Sequence, residues 1–282
     1  MAPTQRHSWF ARPDNRSARR QADLLWLATD LARRSFDERY GTVTFGPVVA
    51  LITAYEEERN IGDVLKSMPA FVGDLEVSTL VVVDGGSDGT ARVALDSGAY
   101  TCVLPVNLGQ GAALRLGYAL AAERGAGYVV TIDADGQNDP AELEGMVQPL
   151  IDDEADFVIG SRRLGVDETT DRLRRAGVKV YAWAIDAIIR QRLTDSSSGY
   201  RAFRIKLLND IRPHLVQDQY QTAEVIITSG RRGWRITERP TVWHPRASGT
   251  SKKGGNIFFG VQYAKVIIRT WLRTLPKSQP PA

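Results

Sequence analysis

Short runs of β-branched and aliphatic residues recur along this chain of 282 residues, and segments with helical patterns separate them. The predicted strands occupy residues 48–52, 79–83, 101–104, 128–132 and 156–160, and the predicted helices between them occupy 61–68, 90–97, 111–124 and 140–153. Strands that alternate with helices favour a mostly parallel sheet that is covered by helices on both faces. The sequence therefore predicts an α/β fold.

The composition and the remaining segments complete this outline. Hydrophobic residues make up 43% and charged residues 24%, which is typical of a globular protein, and the single cysteine, Cys102, excludes an internal disulfide framework. No window of about 18 uninterrupted apolar residues occurs, so we expect no transmembrane helix. The pattern further predicts disorder in residues 1–20, helices at 22–40, 172–191, 221–230 and 256–275, a loop at 165–171 and a strand at 235–238. We expect a basic tail and amphipathic helix in 1–45, one α/β domain in 46–253, and a basic amphipathic helix with a tail in 254–282.

Two carboxylates stand at the end of the predicted strand 128–132. Asp133 and Asp135 are separated by one residue, and residues i and i+2 of an extended chain point to the same side. Oxygen anions in this place suit a divalent cation that keeps open positions for phosphate oxygens. Ligands of open α/β sheets also bind beyond the carboxyl ends of the strands. A turn that begins with Asp is the alternative interpretation.

Two further loops follow predicted strands. Asp84 ends a strand and begins a glycine-rich loop, so its carboxylate can accept hydrogen bonds from a base or a ribose; a simple glycine-rich turn is the alternative. Residues 107–113 lead into a helix whose backbone N–H groups can face a phosphate. This loop is not a dinucleotide-binding fingerprint, because Leu114 stands where the third glycine belongs.

Basic residues gather in the second half of the chain. Glu238 is the only acid after residue 230, which indicates an anionic partner: nucleic acid, a phospholipid surface or a phosphorylated substrate. The basic and aromatic pattern of 256–275 suits a membrane surface, although packing on the core is an equal alternative. It does not form a stacking platform, so we expect no nucleic-acid partner. Arginine forks bind phosphate bidentately, and several arginines near Ser/Gly loops indicate a second phosphate site besides that of a nucleotide.

Taken in order, these motifs resemble those of the family 2 glycosyltransferases with the GT-A fold. Within that family, residues 48–253 are most similar to the dolichyl- or polyprenyl-phosphate sugar synthases, whose type is dolichol-phosphate mannosyltransferase. The matching residues are Ala54-Tyr55 with Glu57 and Asn60-Ile61, Asp84 with Gly86-Ser87 and Asp88-Gly89-Thr90, Asn107, Gly109 and Gly111, Asp133, Asp135 and Gln137, Asp139-Pro140, Gly160-Ser161-Arg162, Asp195 with Ser198-Gly199-Tyr200-Arg201, Glu224, and Arg246 with Gly249 and Ser251-Lys252.

The resemblance implies a donor site and an acceptor site, with Asp135 and Arg162 as catalytic residues. For the nucleotide sugar it implies contacts from Ala54, Tyr55, Glu57, Asp84, Gly109, Gly111, Asp133, Ala134 and Asp135. For Mg²⁺ or Mn²⁺ on the donor diphosphate it implies Asp133, Asp135 and Gln137. For the acceptor phosphate it implies Arg162, one of Arg174 and Arg175, Ser198, Arg201, Arg246 and Lys252.

The implied reaction is a metal-dependent, inverting transfer of a hexose from GDP-mannose or a UDP-sugar to polyprenyl or dolichyl phosphate. A phosphate monoester has a second pKa of about 6, so this nucleophile is largely ionised near neutral pH and needs little help from a general base. A family 2 enzyme with a hydroxyl acceptor is the first alternative; it would need a base, and no residue stands out for that role. A catalytically silent scaffold recruited to membranes is an alternative of another class.

The sequence also departs from the family pattern. Thr53 and Glu56 replace a common Pro and Asn, Gly85 replaces a second Asp, and Gln110 replaces a frequent Lys. Because of these departures, the sequence does not identify which sugar the donor carries or which nucleotide base it contains. Many relatives carry C-terminal membrane helices that this chain lacks. We therefore expect a cytoplasmic protein that is peripheral on the inner face of the membrane, with room for a separate membrane protein as partner.

Overall fold

The computed structural model describes residues 15–168, 172–248 and 256–275, with side chains described in these ranges except for 15–21, 172–180 and 256–259. Its elements are α1 (Asn15–Tyr40), β1 (Val48–Ala54), α2 (Ile61–Lys66), β2 (Phe71–Val72), β3 (Leu75–Asp84), α3 (Thr90–Asp96), β4 (Tyr100–Leu104), α4 (Gln110–Glu123), β5 (Tyr128–Asp133), a 3₁₀ turn (Pro140–Glu142), α5 (Leu143–Ile151), β6 (Phe157–Asp167), α6 (Arg172–Ile189), β7 (Arg201–Arg204), α7 (Ile205–Ile211), a second 3₁₀ turn (Arg212–His214), α8 (Gln221–Arg231), β8 (Ile236–Trp243) and α9 (Asn256–Thr274).

The strands form one sheet in the order β2-β3-β1-β5-β7-β6-β8, and β4 pairs with β3. Strand β1 is parallel to both β3 and β5, β4 is parallel to β3, and β8 is parallel to β6. Strand β7 is antiparallel to both of its neighbours, β5 and β6. Because β7 opposes both, β6 runs in the same direction as β5. The carboxyl ends of β1, β3, β5 and β6 therefore lie at one edge of a mostly parallel sheet, as the sequence predicts.

Both faces of the sheet are buried. Alternate residues of β1 point to opposite sides: Val49 and Leu51 belong to one buried cluster, and Ala50 and Ile52 belong to the other. The first cluster joins the sheet to α1, α4, α8 and α9, and the second joins it to α2, α3 and α5. This three-layer packing explains why the central strands are continuous apolar runs instead of alternating ones.

Several strands are longer than the sequence predicts, and β6 and β8 extend furthest beyond their predicted ends. Strand β6 continues to Asp167, so the predicted end at 160 and the predicted loop at 165–171 are wrong within the described residues. Its second half is partly or fully exposed, but Val166 and Asp167 pair with Val242 and Trp243 of β8. Strand β8 in turn runs to Trp243, beyond the predicted end at 238. Pairing with a partner distant in sequence thus makes strand from residues that carry no strand pattern of their own.

Helix α1 begins before the predicted start at 22. It already includes residues 15–20, for which the predicted disorder is wrong; residues 1–14 lie outside the described part of the chain. Its C-terminal half packs on the core. Phe36 is 1% exposed, and its ring lies 4.7 Å from that of Tyr40 and 6.4 Å from that of Phe45. The Tyr40 hydroxyl accepts a hydrogen bond from the Thr101 backbone N–H at the start of β4.

We expect Phe36→Ala to lower the free energy of unfolding by about 3–5 kcal/mol, because it empties a fully packed site between α1 and the sheet. Trp26→Ala on the same helix removes a larger ring that is 66% exposed, so it should have little effect. Chemical denaturation followed by circular dichroism measures both. Equal stability of the two variants would contradict the docking of α1.

Candidate functional site

Adjacent strand ends bring the predicted donor residues together. In the register of the sheet, Ala54 lies opposite Val83, the residue before Asp84, and Thr53 lies opposite Asp133. Ala54 is buried in the core beneath this edge. The chain thus collects carboxylates from β3 and β5 on either side of β1, as expected for a ligand site in an open α/β sheet.

Asp133, the last residue of β5, lies against the segment that precedes β7. A Cβ atom at Gly199 would lie 2.7 Å from Asp133 Oδ2, so only glycine lets this segment approach the carboxylate so closely. The Gln110 side chain at the start of α4 donates to Asp133 Oδ1 at 3.4 Å. Asp133 is therefore the point where the β5 end, the α4 start and the segment before β7 meet.

Asp135 is buried two residues further on. Its Oδ1 accepts from the Gln137 backbone N–H at 3.2 Å, and its Oδ2 accepts from Arg246 at 2.8 Å. Burial, together with the nearby charge of Asp133, raises the pKa of Asp135 to about 6, even though Arg246 acts in the opposite direction. The fold therefore holds two carboxylates in a place where the negative charge of the second is disfavoured.

Arg246 joins three distant parts of the chain. Its Nη2 donates to Asp135, and its Nη1 donates to Glu57 Oε1 at 2.9 Å. The other oxygen of Glu57 accepts from Asn60 at 2.6 Å. The structure places Arg246 against Asp135 and Glu57, and its assignment to the acceptor phosphate stays a prediction.

The donor set at this edge fits a hard divalent cation. Asp133 and Asp135 offer only oxygen atoms, which Mg²⁺ and Mn²⁺ prefer. Gln137 donates through Nε2 to the His244 carbonyl oxygen at 3.3 Å, so the amide oxygen is the atom it could offer to a metal. The Arg246 guanidinium is a cation that already balances Asp135. In the described ranges no group of three His, Cys, Asp or Glu side chains is arranged to hold a metal by itself.

Asp84 holds a neighbouring loop. Its two carboxylate oxygens accept from the backbone N–H groups of Leu108 and Gly109, at 2.7 and 2.8 Å. Burial raises its pKa despite these two bonds. In this structure the carboxylate shapes the 107–109 loop, and its predicted contact with the nucleoside stays a prediction.

Gly109 and Gly111 lie under the segment 217–219. The Gly111 N–H donates to the Asp218 carbonyl oxygen at 2.8 Å, and a Cβ atom at either glycine would collide with this segment. Gly109 also has a φ of +95°, which favours glycine. Both positions need glycine for packing; their predicted contact with the nucleotide sugar is not tested by these contacts.

Two of the predicted acceptor arginines, Arg162 and Arg201, lie on β6 and β7. Arg162 binds Asp195 through Nε at 2.6 Å and Nη2 at 2.9 Å, and Nη2 also donates to the Ser197 hydroxyl. Its guanidinium lies 4.7 Å from the ring centre of Trp243. Although burial opposes it, the bidentate contact lowers the pKa of Asp195 and raises that of Arg162. These bonds fix Arg162 through Nε and Nη2, and its Nη1 takes part in none of them.

Arg201 is almost completely buried. It donates to the Ser198 carbonyl oxygen at 2.7 Å and to the Thr222 hydroxyl at 2.6 Å, while its Nη1 has no hydrogen-bond partner within the described residues. Burial lowers its pKa. Buried N–H groups are usually paired, so an unpaired guanidinium nitrogen is typical of a site that binds a ligand or an ordered water. The predicted Ser198 is fully buried, and its hydroxyl oxygen accepts from the Tyr200 N–H at 3.3 Å.

The remaining predicted residues add less. Ala134, which lies between the two aspartates in the sequence, is buried. Tyr55, which follows β1, is half-buried. Arg174 and Arg175 lie in α6, where their side chains are not described, and Lys252 lies outside the described residues. Their assignments to the acceptor phosphate stay predictions.

Three supporting residues were not assigned a role from the sequence. Asp195 orients Arg162, Asn60 orients Glu57, and Glu238 accepts from the backbone N–H groups of Thr194 and Asp195. Asp195 begins the matched Asp-Ser-Ser-Ser-Gly-Tyr-Arg run, which was a signal for its importance but not for its partner. Nothing local marks Glu238, because its partners lie more than 40 residues away.

Comparison with known proteins identifies the family. The profile of the family described as "Glycosyl transferase family 2" matches residues 49–212, more than half of the chain. The chain belongs to this family and is a glycosyltransferase, as the sequence motifs predict.

Several relatives are named for transfer to lipid phosphates. The chain is 32% identical to a dolichyl-phosphate hexose transferase of Haloferax volcanii, over 82% of this chain and 98% of the relative. It is 31% identical to an undecaprenyl-phosphate mannosyltransferase of Micrococcus luteus, over 79% and 93% of the two chains. A UDP-N-acetylglucosamine–dolichyl-phosphate N-acetylglucosaminyltransferase of Methanococcus voltae is 27% identical, over 78% and 96%. These matches confirm the resemblance to polyprenyl-phosphate sugar synthases.

Solved structures confirm the fold. Glucosyl-3-phosphoglycerate synthase from Mycobacterium tuberculosis, in complex with phosphoglyceric acid, superimposes with a TM-score of 0.64 and 20% identity, over 83% of this chain and 82% of that one. The same enzyme with Mn²⁺, UDP-glucose and phosphoglyceric acid superimposes with a TM-score of 0.63 and 18% identity, over 96% and 88%. The expected GT-A fold is therefore correct. None of the described helices is both long enough and apolar enough to span a bilayer.

The raised pKa of Asp135 predicts a conflict between stability and function. We expect Asp135→Asn to raise the free energy of unfolding in EDTA at pH 7.5, by on the order of 2 kcal/mol, because it removes a charge that the fold disfavours. In the wild type, the free-energy cost of the ionised Asp135 is present above a pH of about 6. It disappears as the pH falls toward 3.8, the pKa of this group in the unfolded chain. The difference between the two proteins should therefore shrink in that window. Denaturant titrations at several pH values measure it, and a variant that is less stable at pH 7.5 would contradict the assignment.

Proposed function

We propose that this glycosyltransferase moves a hexose from a nucleotide sugar, GDP-mannose or a UDP-sugar, to a polyprenyl or dolichyl phosphate, with inversion at the anomeric carbon and with Mg²⁺ or Mn²⁺. One observation carries the proposal. The same sheet edge presents paired carboxylates, Asp133 and Asp135, and two arginines, the half-buried Arg162 and the buried Arg201. A cation site for a diphosphate thus adjoins an anion site for a second phosphate. The names of the relatives in Haloferax volcanii and Micrococcus luteus support a lipid phosphate as that second anion.

On the donor side, Asp133, Asp135 and Gln137 would hold the metal. The bound metal would supply charge neutralisation for the departing nucleoside diphosphate. Arg246 contacts Asp135 and Glu57, so it lies where it can reach a donor phosphate once a metal takes over the charge of Asp135. The complexes of the structural neighbour with Mn²⁺ and UDP-glucose support divalent metal use.

On the acceptor side, Arg162 and Arg201 would hold the phosphate. Asp195 fixes the Arg162 guanidinium bidentately, which orients Nη1 before any ligand arrives. Arg201 brings an Nη1 that has no hydrogen-bond partner among the described residues. The lipid phosphate is already ionised near neutral pH, so positioning and charge compensation by these arginines replace a general base.

In the deciding experiment, the purified protein is incubated with Mn²⁺ or Mg²⁺, a polyprenyl phosphate and each of a panel of labelled nucleotide sugars. We expect label in the organic phase for one nucleotide sugar. Asp135→Asn should lower this transfer by at least about a hundredfold, because it removes a carboxylate that would hold the metal on the leaving diphosphate. Asp152→Asn, a change at an exposed carboxylate that bonds only to Gln148 in the described structure, is the matched control and should leave transfer unchanged.

The other outcomes separate the alternatives. Label that reaches only water-soluble products would support the family 2 enzyme with a hydroxyl acceptor and overturn the lipid phosphate. The absence of turnover and of metal-dependent nucleotide binding would support the catalytically silent scaffold. Unchanged turnover in Asp135→Asn would overturn the metal site.

We further propose that the protein works at the inner face of the cytoplasmic membrane, as a peripheral protein, and that α9 makes the contact. The outward face of α9 is apolar along one stripe, and the helix has no acidic residue. Its exposed apolar side chains, with that of the residue that follows it, are Val261, Ile268, Trp271, Leu272 and Leu275. Arg269 lies beside this stripe, and the opposite face, with Tyr263 and Val266, is buried in the core. Apolar residues flanked by basic ones suit an anionic bilayer surface. A separate membrane protein is a further proposed partner.

We expect the protein to bind vesicles of phosphatidylcholine with phosphatidylglycerol more tightly than vesicles of phosphatidylcholine alone, and to lose this preference at high salt. The double variant Ile268→Ser, Leu272→Ser should bind at least about tenfold more weakly, since two exposed apolar side chains no longer enter the interface. Phe71→Ser, at a 61% exposed residue of β2, is the control and should bind like the wild type. Sedimentation with vesicles measures all three. Equal binding by the double variant would exclude α9 as the contact.

A further inference from the structure

Glu224 of α8 is a buried acid without a role in the site described so far. Glu224 is 0% exposed, and both of its carboxylate oxygens accept hydrogen bonds. It accepts from the backbone N–H groups of Val216, at 3.0 and 3.1 Å, and Gln217, at 3.0 Å. It also accepts from Arg273 of α9 at 2.5 Å. A buried carboxylate is costly unless it is paired in this way, so these contacts hold the 216–217 backbone firmly.

The backbone that Glu224 holds is the one that closes over the start of α4. The Gln217 carbonyl oxygen accepts from Arg115 at 2.6 Å, and the Asp218 carbonyl oxygen accepts from the Gly111 N–H at 2.8 Å. A Cβ atom at Gly109 or Gly111 would collide with this segment. The contact between the two segments is therefore close, and displacement of 216–218 would displace the 109–111 loop as well.

That loop belongs to the donor side of the site. Gln110 reaches Asp133 Oδ1 at 3.4 Å, and Asp84 binds the N–H groups of Leu108 and Gly109. A continuous set of short contacts thus leads from Arg273, through Glu224 and the 216–218 backbone, to a side chain that touches Asp133.

We propose that Glu224 is a positioning residue for the donor nucleotide, and that Arg273 supports this role as the cation paired with its carboxylate. The carboxylate sets the place of the 216–218 backbone, which sets the place of the 109–111 loop against the donor diphosphate. This inference rests on the proposed function, because it takes the edge at Asp133 as the donor site. It also gives α9 a second role, since the helix proposed to meet the membrane supplies the cation that keeps the donor loop in place.

The test is calorimetric titration of the full chain with UDP and with GDP in the presence of Mn²⁺. We expect Glu224→Gln and Arg273→Gln each to weaken binding of the nucleotide that the wild type binds by about tenfold, which corresponds to ~1.4 kcal/mol. Arg231→Gln is the matched control. It also removes an arginine from the contact between α8 and α9, where Arg231 donates to the Thr274 carbonyl oxygen, but it does not touch Glu224. This control should bind as the wild type does.

Titration separates a misplaced loop from a failure to fold. An unfolded fraction lowers the number of sites, whereas a misplaced loop lowers the affinity at unchanged stoichiometry. In turnover assays the KM for the nucleotide sugar should rise in Arg273→Gln while the KM for the lipid phosphate stays the same. Arg273→Lys, which keeps the charge, should recover part of the loss.

The outcomes also separate this inference from the proposed function. If the wild type binds neither nucleotide, the donor site is overturned and the inference falls with it. If the wild type binds and both variants bind equally well, Glu224 has a structural role only and the positioning inference alone is overturned. Weaker binding by the control to the same extent would likewise overturn it, because the effect would then follow from any loss at the α8–α9 contact.

Discussion

The structure depends on the common direction of four strands. Strands β1, β3 and β5 are parallel neighbours, and β6 runs the same way because β7 opposes both β5 and β6. Their carboxyl ends therefore reach one edge, where the backbone stops pairing and side chains become available. Residues separated by more than a hundred positions, such as Glu57 and Arg246, meet there through this constraint.

Charge compensation is the second principle of this edge. Asp133 and Asp135 are close enough that burial and mutual repulsion raise the pKa of Asp135 to about 6. Arg246 offsets part of that repulsion, and on the other side Asp195 and Arg162 compensate each other in a bidentate pair. A charged ligand that enters such a site replaces ion pairs within the protein. Its binding free energy is therefore the difference between the new contacts with the ligand and the ion pairs that they replace.

The sequence predicted much of the fold because its evidence is local. The apolar runs of β1, β3 and β5 and the helical pattern of α4 each show in a short window, and each element overlaps its predicted range, although β3 begins earlier than predicted. Strand β7 and the second half of β6 were harder, because their residues are strand only through pairing with distant partners. The positions of the donor carboxylates followed from their place at a strand end. The partners of the arginines did not, since long flexible side chains reach across several ångströms to groups that no spacing reveals.

What the sequence by itself determined is the family, the parallel α/β sheet and the identity of the acidic residues at its edge, because motif order and periodicity are properties of the chain. Only the tertiary structure decided that Arg246 faces Asp135 and Glu57, that Asp195 orients Arg162, and that Glu224 links α9 to the backbone of residues 216–217. The reason is physical. A charged side chain in a buried place takes the partner that lies within hydrogen-bond distance, and that distance is set by how sheet, helices and loops pack, not by separation along the sequence.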